Sequence, residues 1–228
     1  MRPTAHSVPS YVGLACLAAP LLAGGISGPV KLIDKNGKSR ETLKDVIAIL
    51  EPLGAPKPIL ERRPLLRIRT AGKRFAPRVA WTTPGSLVTF PNQDSIVHNV
   101  FSVCCAVPFD TGQYEPGDTP TPIRLTKPGL LKLYCNVHHK MNAFLWVLET
   151  PYAQVLDGRA GLAFDEIPSG TYRLKLWHPE TGEKIFPVTI GQTNVHGEWI
   201  LSANLPPFEP HKNKFGKDYP PIKDEGSY

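Results

Sequence analysis

Apolar and polar residues alternate over short stretches along most of this chain, and few stretches carry a helical repeat. Over 129–135, Leu131, Leu133 and Cys135 fall on one face of a predicted strand. Tyr172, Leu174 and Leu176 alternate with Arg173 and Lys175 in the same way, which predicts a strand with one buried face. Two stretches are apolar throughout and short enough for buried strands, 46–50 and 143–148, and 97–103 is another largely apolar stretch. Further strands are predicted at 29–33, 152–156, 162–164, 184–190 and 195–201. Turn signals separate them at Asn36-Gly37, Pro84-Gly85, Asp157-Gly158 and Glu180–Gly182. Short strands at regular spacing predict an all-β protein built as sandwiches. The first two strands, followed by the proline-rich loop 52–64, read as an N-terminal β extension over 26–64, because two strands cannot bury a core. The last stretch, 205–228, mixes prolines with Lys212, Lys214, Lys217 and Lys223. It has no repeating apolar face and is expected to be a flexible tail.

Composition agrees with an exported β protein. The 228 residues include 25 prolines and 19 glycines. Arg2, an apolar run from Tyr11 to Ala23, and Gly24-Gly25 form the pattern of a signal peptide over 1–25, with cleavage expected after Gly25. The run is too short and too Pro/Gly-flanked for a membrane span, so the mature form is expected without one, periplasmic or secreted. Loss of the leader lowers the formal charge from +6 to +5. Three cysteines then remain. Cys104 and Cys105 are adjacent, where a disulfide is strained, and they read as two thiols at a strand end.

The chemistry concentrates at Cys135-Asn136-Val137-His138-His139-Lys140-Met141. Cys-x2-His-x2-Met offers a thiolate, an imidazole and a thioether from one short loop. His98, opening an earlier strand, completes a His2Cys plane with a weak axial Met, the donor set of a blue-copper electron-transfer site. Soft sulfur suits Cu(I) and imidazole suits both oxidation states; zinc is the competing occupant. His139 reads as a solvent-exposed neighbour and His178 as a packing residue.

Residues from about 65 to 149 resemble a plastocyanin/azurin-type cupredoxin, and the gap between His138 and Met141 is most similar to the amicyanin variety. The likeness rests on the order His98, Cys135, His138, Met141, on the Pro84-Gly85 turn, on Thr89–Asp94 and on the His98-Asn99 pair. It implies a cupredoxin Greek-key β-sandwich over 26–149 and one type 1 copper, cycling between Cu(I) and Cu(II), on His98, Cys135, His138 and Met141. It further implies that Asn99 holds the ligand loop by hydrogen bonds and shields the thiolate. A departure is His139, where amicyanin-like loops usually carry proline. Residues 150–204 resemble a carboxypeptidase regulatory-like domain through Asp157-Gly158 and Pro168–Leu174, which implies a second, smaller sandwich without peptidase activity. Together the halves are similar to bacterial proteins labelled methylamine-utilisation or plastocyanin-like.

These readings favour a carrier of single electrons between redox proteins, such as a cytochrome or a dehydrogenase, over an enzyme. Residues 150–204 show no Ser/His/Asp set, HExxH or Gly-rich phosphate loop, and the Cys135 loop has no second cysteine for a binuclear centre. A copper chaperone or sensor is the second reading, weakened by only two methionines; a carbohydrate-binding or adhesive sandwich is the third. Seven bases between Arg62 and Arg78 form a cluster suited to an acidic partner, with Arg67, Arg69 and Arg74 as the candidate docking residues and Val137 as the apolar contact. The cluster lacks the interleaved aromatics of a nucleic-acid platform, and no nucleic-acid partner is expected.

Overall fold

The structure, a computed structural model, describes residues 23–40, 42–61, 64–103, 107–158, 161–203 and 211–219. Among them every regular element is a strand, and no helix is long and apolar enough to cross a membrane. The protein is all-β.

The strands that carry His98 and Cys135 form one sandwich with their neighbours. Its larger sheet runs β6 (Val79–Thr82), β12 (Asn142–Val147), β11 (Gly129–Cys135), β8 (His98–Ser102) and β9 (Phe109–Tyr114). Facing it are β3 (Leu66–Arg67), β7 (Leu87–Thr89) and β10 (Ile123–Arg124). Leu131, Leu133 and Cys135 point inward together and meet Val88, Phe90 and Leu125, as the period-2 pattern requires. The Thr83–Ser86 turn into β7 has Pro84 second and Gly85 third. Gly85 sits at φ +88°, a conformation open to glycine at that place in a type II turn. A short hairpin, β4 (Arg69–Thr70) with β5 (Phe75–Ala76), stands beside the site and is bridged to Asn92 through Thr70.

The remaining strands build a second pair of sheets. One runs β13 (Ala153–Val155), β2 (Ile47–Pro52), β15 (Gly170–His178) and β16 (Gly182–Ile190). The other places β14 (Gly161–Pro168) against β1 (Ala23–Ile33), which also pairs in parallel with β17 (Val195–His196) and β18 (Trp199–Ser202). The pairing differs from the expected N-terminal extension of the first sandwich. β1 and β2 are integral to the second pair of sheets, and Ile26, Val30, Leu32, Ala48 and Leu50 share its core with Leu174, Leu176 and Leu201. Two strands cannot bury a core alone, but these two complete one assembled from residues far along the chain.

β2 also explains why 46–50 is apolar throughout. Ala48 and Leu50 face the second core, whereas Ile47 and Ile49 face Val79, Phe144, Trp146, Leu148 and Trp177 in a third cluster that joins the two halves. A strand covered on both faces has no polar side. The Phe144 and Trp177 rings meet edge-on at 4.9 Å between centroids.

The expected cleavage after Gly25 falls inside β1, where Gly24 pairs with Ile167. A Cβ on Gly24 would lie 2.3 Å from the Gly191 carbonyl oxygen, so the small residues here are required by packing. Residues 1–22, with Cys16, lie outside the described residues, as do Arg62, Arg63, Cys104 and Cys105.

The expected tail is the other departure. His211 is buried and its ring stacks on Tyr134 at 4.4 Å, while the Tyr219 hydroxyl donates to the Cys135 carbonyl at 3.0 Å. Residues 211–219 are packed against the ligand loop, because aromatic groups at their two ends find partners on the outer face of β11.

Candidate metal centre

Cys135 ends β11 and His98 opens β8, and the antiparallel register Cys135↔Val100 brings the two together. Asn136 begins the loop that returns as β12. The loop closes on itself, with the Met141 N–H donating to the His138 carbonyl at 3.0 Å and the Cys135 N–H to the Met141 carbonyl at 3.4 Å. His138 is thereby turned back over Cys135.

The Cys135 Sγ lies 3.6 Å from Nδ1 of His98 and 3.6 Å from Nδ1 of His138, and the two rings are 4.9 Å apart. All three donor atoms lie within 4.8 Å of one another. Metal–sulfur and metal–nitrogen bonds of about 2.0–2.3 Å, at angles of roughly 110–120°, separate sulfur from nitrogen by about 3.5–3.8 Å. The observed spacing therefore fits three donors converging on one ion.

Protonation supports the same arrangement. His98 is fully buried and its Nε2 donates to Asp94 Oδ2 at 2.8 Å, which leaves the Nδ1 lone pair directed at the sulfur. Burial raises the Asp94 carboxyl, but the hydrogen bond from His98 and the N–H groups of Lys73 and Gly72 outweigh it and hold its pKa below the ordinary value. Burial pushes the Cys135 thiol up, opposed by the N–H groups of Asn99, Val137 and His138. A buried thiol with two imidazole nitrogens turned toward it would bind a soft cation as thiolate, releasing its proton to solvent.

Met141 is buried in the core beside the loop. Asn99 is buried too. Its carbonyl accepts the Asn136 N–H at 3.2 Å, while its side-chain Nδ2 donates to Asp110 rather than to the loop. Val137 is 38% exposed at the rim, but Phe144, a possible neighbour in an apolar patch, is buried against Trp177.

The basic cluster divides. A depression of about 460 Å³ beside His138 is lined by Lys73, Arg74, Lys140 and Met141 with Ala71 and Gly72. Arg69 and Arg74 also line a neighbouring cleft of about 760 Å³ between the two halves, with Arg40, Lys44 and Arg78. Two of those cations are committed to acids: Arg78 to Asp45 at 2.6 Å, and Arg40 to Glu180. Arg67 is exposed on β3 and lines neither. Sequence reasoning counted Lys73 in the basic cluster without singling it out, and assigned no role to Lys140 or Asp94. Asp94 stands within the Thr89–Asp94 approach, four residues ahead of His98 on the same side of the site, and that short spacing was the available signal.

No family description and no curated protein matches the chain. Among solved structures, the Cu-containing nitrite reductase from Thermus scotoductus SA-01 is 26% identical over 44% of this chain and 26% of its own, with a TM-score of 0.36. The chain thus spans about a quarter of that protein's length. A purple cupredoxin from Nitrosopumilus maritimus is 21% identical over 36% of this chain and 99% of its own, at a TM-score of 0.33. A Cu(I) amicyanin variant is 16% identical over 37% of this chain and 82% of its own, at 0.35.

Proposed function

We propose that this chain is a type 1 copper protein of the cupredoxin kind, acting outside the cytoplasm as a carrier of single electrons. The observation that carries this reading is the meeting of Cys135 Sγ with the Nδ1 atoms of His98 and His138, each at 3.6 Å. His98, Cys135 and His138 would hold one copper, with Met141 as the weak axial donor; the ion would supply a one-electron couple. Around it the chain excludes water through burial of His98, Cys135 and Met141 and fixes His98 through Asp94. Fixed ligands that serve both oxidation states keep the rearrangement on electron transfer small.

Half-buried His138 is the electron exit in this reading, since His98 is sealed inside. A redox partner with an acidic rim would meet Val137, Lys73, Arg74 and Lys140 around that ring. Burial of His98 and Cys135 argues against the chaperone reading, because handing over the metal would require the core to open. The test is to load the full chain with one equivalent of Cu(II). An intense blue colour that Cys135→Ser abolishes is expected; binding of zinc with no Cu(II) affinity overturns the proposal.

A further inference from the structure

The segment 211–219 has the properties of a fitted part and not of a tail. Asn213 folds it into a turn: its Oδ1 accepts the N–H groups of Phe215 and Lys217, and its own N–H donates to the Lys217 carbonyl at 2.8 Å. Three contacts then join that turn to the ligand loop and its support. The Tyr219 hydroxyl donates to the Cys135 carbonyl at 3.0 Å. The Lys214 N–H donates to Asn136 Oδ1 at 2.9 Å. The Lys214 ammonium pairs with Asp110, whose other oxygen accepts from Asn99 beside the sulfur.

His211 anchors the other end. Its ring stacks on Tyr134 and meets Phe101 edge-on at 5.9 Å, and its Nδ1 lies 2.9 Å from the Lys212 carbonyl oxygen. Its Nε2 is buried, and the backbone carbonyls of His138 and Met141 face the ring. Phe101 belongs to the outer face of β8, in register with Tyr134, yet it is only 1% exposed. His211 is part of what covers it.

We propose that residues 211–219 form a strap that belongs to the metal centre, with Tyr219 and Lys214 as positioning residues for the loop 135–141 and His211 as the anchor. The strap grips the thiolate residue by its backbone from outside while Asn99 and Asp94 hold the site from within. Its work is to keep Cys135 and His138 in one arrangement whether or not an ion is bound, so it sets how fast the ion leaves and how little the loop moves when the charge changes. This inference rests on the copper reading for its second arm only.

The test compares Tyr219→Phe, His211→Ala and, as a control, Phe215→Ala, whose ring is 73% exposed. In the metal-free full chain, amide hydrogen exchange of residues 136–141 should rise about three- to tenfold in Tyr219→Phe, the effect of one net hydrogen bond, and further in His211→Ala. The control should match wild type. In Cu(II)-loaded protein, the first two variants should lose copper to a chelator faster, by a similar factor, and show a changed electron paramagnetic resonance signature. Exchange that rises in a chain unable to bind Cu(II) would sustain the strap and remove the copper reading. A blue protein whose loop exchange and copper loss are the same in all three variants would overturn the strap.

Discussion

Asp94 joins two parts of the site: its Oδ2 lies 2.8 Å from Nε2 of His98, and its carboxylate also accepts the N–H groups of Gly72 and Lys73. One side chain therefore orients the buried imidazole and pins the basic turn beside the half-buried one. Its removal should disturb both. Asp94→Ala is expected to weaken copper binding by about 10- to 100-fold, the usual cost of losing such a supporting carboxylate. Competition with a chelator of known affinity measures it. An Asp94→Ala protein that binds copper as tightly as wild type would show that the bond to His98 has no part in ligation.

Val137→Glu should leave the visible spectrum nearly unchanged and slow electron exchange with a partner, since Val137 is exposed at the rim and contributes only its backbone N–H toward the sulfur. Stopped-flow exchange with a cytochrome reads the rate. Unaltered kinetics would move the exit away from His138.

The divided basic cluster gives a prediction with an internal control. Reversing Arg74 and Lys140 to Glu should slow association at low ionic strength and flatten its salt dependence, because both line the depression at His138. Arg67→Glu should do much less, since it lies outside that depression and screening limits exposed charges to roughly 8–10 Å at physiological salt. Equal salt slopes for the two variants would remove the directional role of the turn.

His178 gives a dependence of stability on pH. Burial lowers its pKa below 6.5; Glu180 and Asp45 oppose the shift, while Arg40 and Arg78 add to it. The folded protein therefore holds His178 neutral, with Nδ1 accepting the Glu180 N–H at 3.1 Å. A depressed folded pKa means that the contribution is fully present above pH 6.5 and is lost as pH falls through the folded value. The slope from this one group is at most about 1.4 kcal/mol per pH unit. Denaturant unfolding of wild type and His178→Gln at pH 7.5 and 5.5 should show a smaller acid loss in the variant.

Trp177→Ala should destabilise the protein by about 3–5 kcal/mol, because the ring fills the seam against Phe144 and Trp146. Calorimetry then reports whether the two halves unfold together, as the shared cluster requires, or apart.

The meeting of Cys135 with His138 was legible because it is local. The two stand three residues apart in one loop, and the alternation of Leu131, Leu133 and Cys135 already turned the sulfur inward. What the pattern hid was long-range. Tyr219 finds its acceptor 84 positions earlier, and nothing in a lysine- and proline-rich stretch announces a hydroxyl bound to a distant carbonyl. Val46–Leu50 announced burial on both sides but not which sheets would cover it. Asp94 was visible four residues before His98, but its second attachment needed the 71–74 turn alongside, which only the packed chain supplies.

The pairing of β1 carries a consequence for how the chain is made. β1 does not meet an antiparallel partner until residue 161 has been synthesised, and its parallel neighbours come later still. The strands between 66 and 147 pair only among themselves, so those sheets can close before residue 161 is made. Until then β1 and β2 present unpaired backbone and apolar faces, a template for stray pairing with other chains. Two sheets that close within residues 66–147, beside a pair that waits for both ends of its chain, make the late partners β14, β17 and β18 the cover that β1 needs against such pairing.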